Sequence, residues 1–497
     1  MTGQDQPETV GQLPNTAAGS TPLVPAVLTR LVWLLWVASL GTLVARLRVE
    51  GVWELWGVFA VDGLTVVLWV VVTFLGGIVH SYSVRYMAGG RHVSRFFTRL
   101  FGFTLVVLVL VAADHLALFA AAWVAMGLVM ADLIGHVRGW PQARAAATLA
   151  RRYFLASSLL VAAALATLWV TTGATTVSGV AAAVDAVPRT PWLFAVGALV
   201  LAATIQSALV PFHTWLLSSM TAPTPASALM HAGFVNAGGV LLTRFAPVVS
   251  VDPDVMLLVV VVGVASALLG KLLKSVQSDV KRQLGCSTVG QMGFMIAQAG
   301  LGFFGAAVTH LVLHGFYKAY LFCSSGGRVE RTSPTGPGRE PGSTGLVGWV
   351  ATGLAALAGG ALFVALTGKG TSPDAGLLLT LLVVLTTLHA TRTAVRTTSL
   401  PATVRYGAVP LVFLPAIAVY AAVYTVVVGL LADLPVVTAP AELTAVHGAV
   451  AVAFVVAFVA IETGAYRRSE RLYVALVNAT QPPAETLLTS RGEYREY

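Results

Sequence analysis

Apolar runs of about 20 residues recur along almost the whole chain, separated by short stretches that hold most of the charge. This is the repeat that a bilayer imposes on helices rising 1.5 Å per residue. The runs predict helices near 25–45, 57–80, 97–113, 115–136, 153–172, 192–218, 224–247, 256–275, 283–300, 303–325, 345–367, 375–398, 409–432 and 445–463. The fold class is therefore an all-α polytopic membrane protein with about fourteen spans across 23–464. Residues 1–22 lack the basic stretch and cleavage pattern of a signal peptide and are expected to form a disordered cytoplasmic tail. Residues 465–497 are expected to form a cytoplasmic C-terminal tail.

Composition narrows the function classes. The 497 residues are 57% hydrophobic and only 10% charged, which excludes a soluble enzyme, yet the net charge is +9. Nucleic acid is not the implied partner, because the cations sit in loops. The connections after even-numbered helices, with the C-terminal tail and flanking helix ends, hold 22 of the 30 Lys/Arg residues; the odd connections hold five, among them Arg46, Arg244 and Lys369. By the positive-inside rule both termini are cytoplasmic. Two cysteines, Cys286 and Cys323, are too few for an iron–sulfur cluster or a cysteine-built zinc site. No dinucleotide-binding or phosphate-binding glycine motif appears, and no metal site is expected in this chain.

Two lysines remain inside spans. Lys271 lies about a turn from the cytoplasmic end of its helix, where it can snorkel. Lys318 falls near the middle of 303–325, with His310 and His314 eight and four residues before it. Each four-residue step turns the helix by only about 40°, so the three form one polar stripe. Such groups can simply bond neighbouring helices. A buried lysine, however, has its charged form disfavoured, and three stacked titratable groups suit proton movement.

The segment 206–233, QSALVPFHTWLLSSMTAPTPASALMHAG, is the other informative place. Pro211 breaks the helix, and Pro223 and Pro225 start the next. A broken helix at membrane depth belongs where it is buried in protein or lines a wet cavity. Gln206 precedes the break, His213 follows it, and His231 lies two turns into the next helix. Weaker candidates are Asp132, sharing a face with His136 at a cytoplasmic helix end, and the isolated His389; Asp62, Asp114, His447 and Glu462 read as interfacial.

The strings LVPFHTWLLSSMTAPTPASALMHAG (209–233), SDVKRQLGCSTVGQMGFM (278–295) and HLVLHGFYKAYLFCSSG (310–326), with VDGLT (61–65) and SYSVRYM (81–87), resemble the proton-pumping membrane subunits of respiratory complex I and multisubunit cation/proton antiporters. The resemblance runs from about 57 to 326. It implies two inverted five-helix repeats, about 97–247 and 256–398, each with a broken helix. HAGFVNAGGVLL (231–242) and QMGFMIAQAGLG (291–302) are similar to one branch, the DabB family of inorganic-carbon transporter membrane subunits. Two departures from the pump pattern fit that branch: Trp123-Val124 stands where pumps have Trp-Glu, and Gln206 stands where they have lysine. The pumps' distal lysine has no aligned counterpart, Lys369 being the nearest.

The resemblance implies a bacterial plasma-membrane subunit in which proton or sodium flow is coupled to a cytoplasmic, zinc-containing, carbonic-anhydrase-like partner, DabA. The zinc chemistry would be the partner's and this chain would be no enzyme. His231 and Lys318 would relay the proton, His310 and His314 would continue the path, and Gln206 would be a neutral polar link. The alternative is a pump subunit of an NADH-quinone oxidoreductase or a cation/proton antiporter.

Overall fold

The computed structural model describes residues 23–49, 51–328, 345–397 and 400–481. The expected 1–22 tail, the 329–344 connection and the end of the C-terminal tail lie outside them. In chain order the helices are α1 (Leu23–Arg46), α2 (Gly63–Tyr86), α3 (Val93–Ala112), α4 (Leu116–Ile134), α5 (Pro141–Thr172), α6 (Val177–Ala182), α7 (Arg189–Gln206), α8 (Thr214–Ser218), α9 (Thr224–Ala232), α10 (Ala237–Arg244) and α11 (Ala246–Val249). They continue with α12 (Pro253–Ser275), α13 (Val280–Gly300), α14 (Phe304–Cys323), α15 (Gly345–Thr367), α16 (Gly376–Thr397), α17 (Val409–Leu411), α18 (Phe413–Leu430), α19 (Ala445–Glu462) and α20 (Glu470–Ala479). Twelve helical segments among the described residues are long and apolar enough to cross a bilayer. α13 and α14, with 21 and 20 residues, match them in length but carry more polar side chains. The chain is a multi-pass membrane protein.

The connections sort onto two faces. On one, the carbonyl of Val58 accepts from the backbone N–H groups of Asp114 and His115, Leu116 N–H donates to Thr175, and Trp192 Nε1 donates to Val248. The same face holds the contacts of Ala439 with Gly302 and of Arg46 with Asp433. Every connection involved follows an odd-numbered span. On the opposite, basic face Asp132 pairs with Arg99 and Arg151, and Glu462 pairs with Arg392 and Arg396. The alternation read from loop charge is thus the alternation of the fold. Arg244 is an exception to the loop reading: it is no solvated cation but a buried partner of Asp62, also donating to Val111 O at 2.7 Å.

Several boundaries differ from expectation. The second span starts at Gly63, because Trp53–Leu55 and Phe59–Val61 pair as an antiparallel hairpin, β1 and β2, whose apolar residues read as helix by composition. α5 starts at Pro141, twelve residues earlier than expected, since its Ala-rich first turns lie on the basic face, where arginines are tolerated. The stretch 465–497 is not wholly tail: α20 begins at a Ser469 cap and packs Leu476 against Leu217, Leu273 and Cys286.

The break after α7 occurs as expected, and its freed polar groups find partners. Val210 N–H donates to Ser266 Oγ at 3.1 Å, Ser207 Oγ to Val235 O at 2.7 Å, and Trp215 Nε1 to Ile205 O at 3.0 Å. Among the described residues of 256–398 the expected second broken helix is not found: α12 to α16 each run uninterrupted. Neither α15 nor α16 contains an interior proline, so no backbone bond is removed there. Gly359 in α15 serves close packing instead, since a Cβ there would stand 2.6 Å from Ile417 Cδ1.

α12 and α13 meet along a glycine seam. A Cβ on Gly263 would lie 2.5 Å from Ala297 N, and one on Gly293 would lie 2.5 Å from Ala267 N. Because backbone meets backbone here, small residues are obligatory. Gly293→Leu must therefore push the helices apart, and is expected to abolish the monodisperse species in detergent size-exclusion chromatography while Gly102→Leu, at an open position, leaves it intact.

Candidate proton path

The glycine seam fixes α13 with two polar faces. One carries Leu284 and Thr288 toward α9 and α14. His231, in the last turn of α9, is 0% exposed, with Nδ1 2.9 Å from Thr288 Oγ1 and its ring stacked on Phe322 at 4.5 Å. Thr288 Oγ1 donates its one proton to Leu284 O at 2.9 Å, so it can only accept from His231. That fixes the proton on Nδ1 and leaves Nε2 of the neutral ring as a buried lone pair with no protein partner. Lys318 Nζ, also 0% exposed, donates to the same Leu284 carbonyl at 2.8 Å. One carbonyl thus joins three helices in a single polar network.

Lys318 is less central than the span boundaries suggested, standing five residues from the end of α14, but it is fully buried there. His314 and His310 extend the stripe away from the basic face, their rings 5.9 Å apart. Both nitrogens of His314 are buried without a partner among the described residues, so whichever of the two is unprotonated can take a proton. Gln206, the last residue of α7, is 1% exposed with neither amide atom partnered; no ionisable group replaces it there.

The other polar face of α13 borders a cavity of about 320 Å³, where Ser287, Gln291 and Phe294 meet Lys271 and His389. Two weaker candidates come together here. Lys271 Nζ lies 2.9 Å from His389 Nε2, and His389 Nδ1 lies 3.0 Å from Glu462 Oε1. Lys271 therefore does not snorkel alone and His389 is not isolated. Phe294 also packs on His310 at 5.4 Å, so the cavity's deep wall touches the stripe.

Other candidates fall away from the path. His213 turns its Nε2 to Ala479 O at 3.0 Å, holding α20. Asp132 is a surface charge between Arg99 and Arg151. His136, just beyond α4, packs on Phe96; burial, with Arg99, Arg95 and His92 nearby, holds it at about 4, so it is neutral near pH 7. His447 caps α19 against Thr444.

The sequence reading missed Thr288 and the Leu284 carbonyl. The available signal was the lower hydropathy of 283–300, whose hydroxyl and amide residues are more than a lipid-facing helix needs. Thr288→Val keeps the shape and removes the bridge. It is expected to slow ion flux in proteoliposomes about tenfold, the effect of one hydrogen bond of about 1.4 kcal/mol, with the unfolding midpoint nearly unchanged.

This network lies within a recognisable sequence unit. Residues 113–337 match the family described as NADH:quinone oxidoreductase/Mrp antiporter, transmembrane, and 56–97 match the N-terminus of complex I chain 5. Residues 113–337 therefore carry the antiporter-type transmembrane sequence pattern. Among its relatives, the probable inorganic carbon transporter subunit DabB1 of Halothiobacillus neapolitanus is 41% identical over 283 residues, 56% of this chain and 50% of that one. The probable inorganic carbon transporter subunit DabB of Bacillus anthracis is 37% identical over 59% of this chain and 58% of its own. NADH-quinone oxidoreductase subunit L of Mycobacterium tuberculosis is 38% identical over 54% and 43%. The chain spans about half the length of the curated relatives it matches. The fold is also that of a chain in the Mrp complex from Dietzia sp., with TM-score 0.56 and 24% identity over 92% of this chain and 49% of that one.

Proposed function

We propose that this chain is the proton-conducting membrane subunit of an inorganic-carbon accumulation complex. In this reading it sits in the bacterial plasma membrane with its basic face and termini in the cytoplasm, docked to a zinc-containing, carbonic-anhydrase-like partner of the DabA type. The observation that carries the proposal is the buried network of His231, Thr288, Leu284 O and Lys318, lying within residues 113–337, which match the antiporter-family model. Protons would pass between Lys318 and the free Nε2 of His231 or the His314 ring. The partner would supply the zinc and the hydration of CO2.

Gln206 and Val124 support this reading over a quinone-coupled pump, since the sequence has no lysine before Lys271 and so no Lys–Glu pair in that half to be switched by a redox module. Affinity purification should recover a zinc protein with this chain, and cells should accumulate labelled inorganic carbon in a way that a protonophore abolishes. Recovery of quinone-oxidoreductase subunits instead, with protonophore-insensitive carbon uptake, would overturn the proposal.

A further inference from the structure

Glu462 closes α19 between two guanidinium groups, with Arg392 Nε at 2.8 Å and Arg396 Nη1 at 3.1 Å from its Oε2. Arg392 is itself held flat over Trp349. A carboxylate so paired is ionised and can only accept, so its Oε1 takes the Nδ1–H of His389. That fixes the tautomer and turns the Nε2 lone pair toward Lys271 Nζ, which has only donors to offer. The result is a lysine, a histidine and an orienting carboxylate on three helices. Lysine and histidine open on the cavity of about 320 Å³, and the imidazole is 30% exposed. The other charged or titratable groups facing it are Lys274 of α12 and Tyr317 of α14, with Arg392 and Arg396 of α16. A purely structural clamp between α16 and α19 would need only Glu462 and the arginines. It would not need a cavity-lining lysine aimed at a histidine lone pair.

We propose that Lys271, His389 and Glu462 form a second proton-transfer station, at the mouth of the cavity whose deep wall touches His310. The inference rests on the proton-conducting reading above. A proton leaves the Lys271 ammonium for Nε2 of His389, giving a neutral amine and an imidazolium. Glu462, a positioning residue, stabilises that imidazolium through Nδ1–H. Nε2, the nitrogen that took it, then gives that proton to cavity water as the neutral amine turns away, and Lys271 takes its next proton from water at the Phe294 wall of the cavity; in the opposite gradient the steps reverse. His389 and Glu462 lie beyond both segments matched to family models, whereas Lys271 lies within 113–337.

The test uses the intact complex in liposomes with an entrapped pH dye. His389→Gln keeps a hydrogen-bonding side chain that cannot carry a proton, and should reduce proton flux about 100-fold. Imidazole in the buffer, small enough for the cavity, should restore much of it. Glu462→Gln should move the pH of half-maximal flux downward, because the imidazolium loses its counter-charge. Flux equal to wild type in His389→Gln, or a loss that imidazole does not restore, overturns the station. Lys318→Met separates the two ideas: if wild-type flux is Lys318-dependent while His389→Gln is unimpaired, only the station fails; if wild-type complex carries no flux, the underlying reading fails.

Discussion

Lys318→Met is expected to reduce proton flux, and with it growth at low CO2, by about 100-fold or more, the usual worth of a positioned proton carrier. Methionine nearly matches the lysine in length and apolar stem. The lost contact is one donation to Leu284 O, a carbonyl that keeps the Thr288 hydroxyl. The folding cost should therefore be about 1 kcal/mol or less, and removing a desolvated cation can offset even that. Lys318→Arg sharpens the test. Arginine keeps the charge but does not release its proton, so it must fail as badly as methionine if release is the function. A fast arginine variant would show that positive charge alone is required and would remove Lys318 from the relay.

The second large effect concerns stability. Asp62 caps α2 through Thr65 N–H at 2.8 Å and pairs with Arg244 from α10, both side chains being nearly inaccessible. Burial alone would raise the Asp62 carboxyl, but Arg244 and the Thr65 hydrogen bonds outweigh it and hold the pKa below its ordinary value. Asp62→Asn leaves a buried guanidinium without its counter-charge and should cost about 3–5 kcal/mol, read as a lowered unfolding midpoint in detergent. Adding Arg244→Met should recover most of the loss. Because the folded-state pKa is depressed, this stabilisation is present above the unfolded carboxyl's pKa and is lost as pH falls through the folded one. The wild-type midpoint should thus decline in acid, and the double variant's should decline less.

What the sequence disclosed follows from how strongly lipid constrains it. Spans and alternation were legible because each helix must be apolar for about 20 residues and each basic loop must stay on one side. Pro211 marked its break because it removes a backbone donor. The hairpin at 53–61 was not legible, since Trp, Leu, Phe and Val suit a strand as well as a span. The His310, His314 and Lys318 stripe could be read because its members share one helix. The pairing of Lys271 with His389 could not, since 118 residues separate them and periodicity does not say which helix faces meet. Thr288 was hidden for another reason: a helical threonine bonded to its own i−4 carbonyl looks already satisfied, and only the approach of His231 and Lys318 gives that bond a further use.

The join between Arg46 and Asp433, at 2.5 Å, has a consequence for biogenesis. The partners are 387 residues apart, so the helix that ends at Arg46 is synthesised long before the residue that neutralises its terminal cation. Until then α1 packs mainly on α2 and α3. Gly302 and Asp374 likewise wait for Ala439 and Glu442, so these late contacts are completed together, after those among Val58, Asp114, Thr175 and Val248. A nascent chain arrested before residue 433 should expose this end to protease, and release of the full chain should protect it in one step.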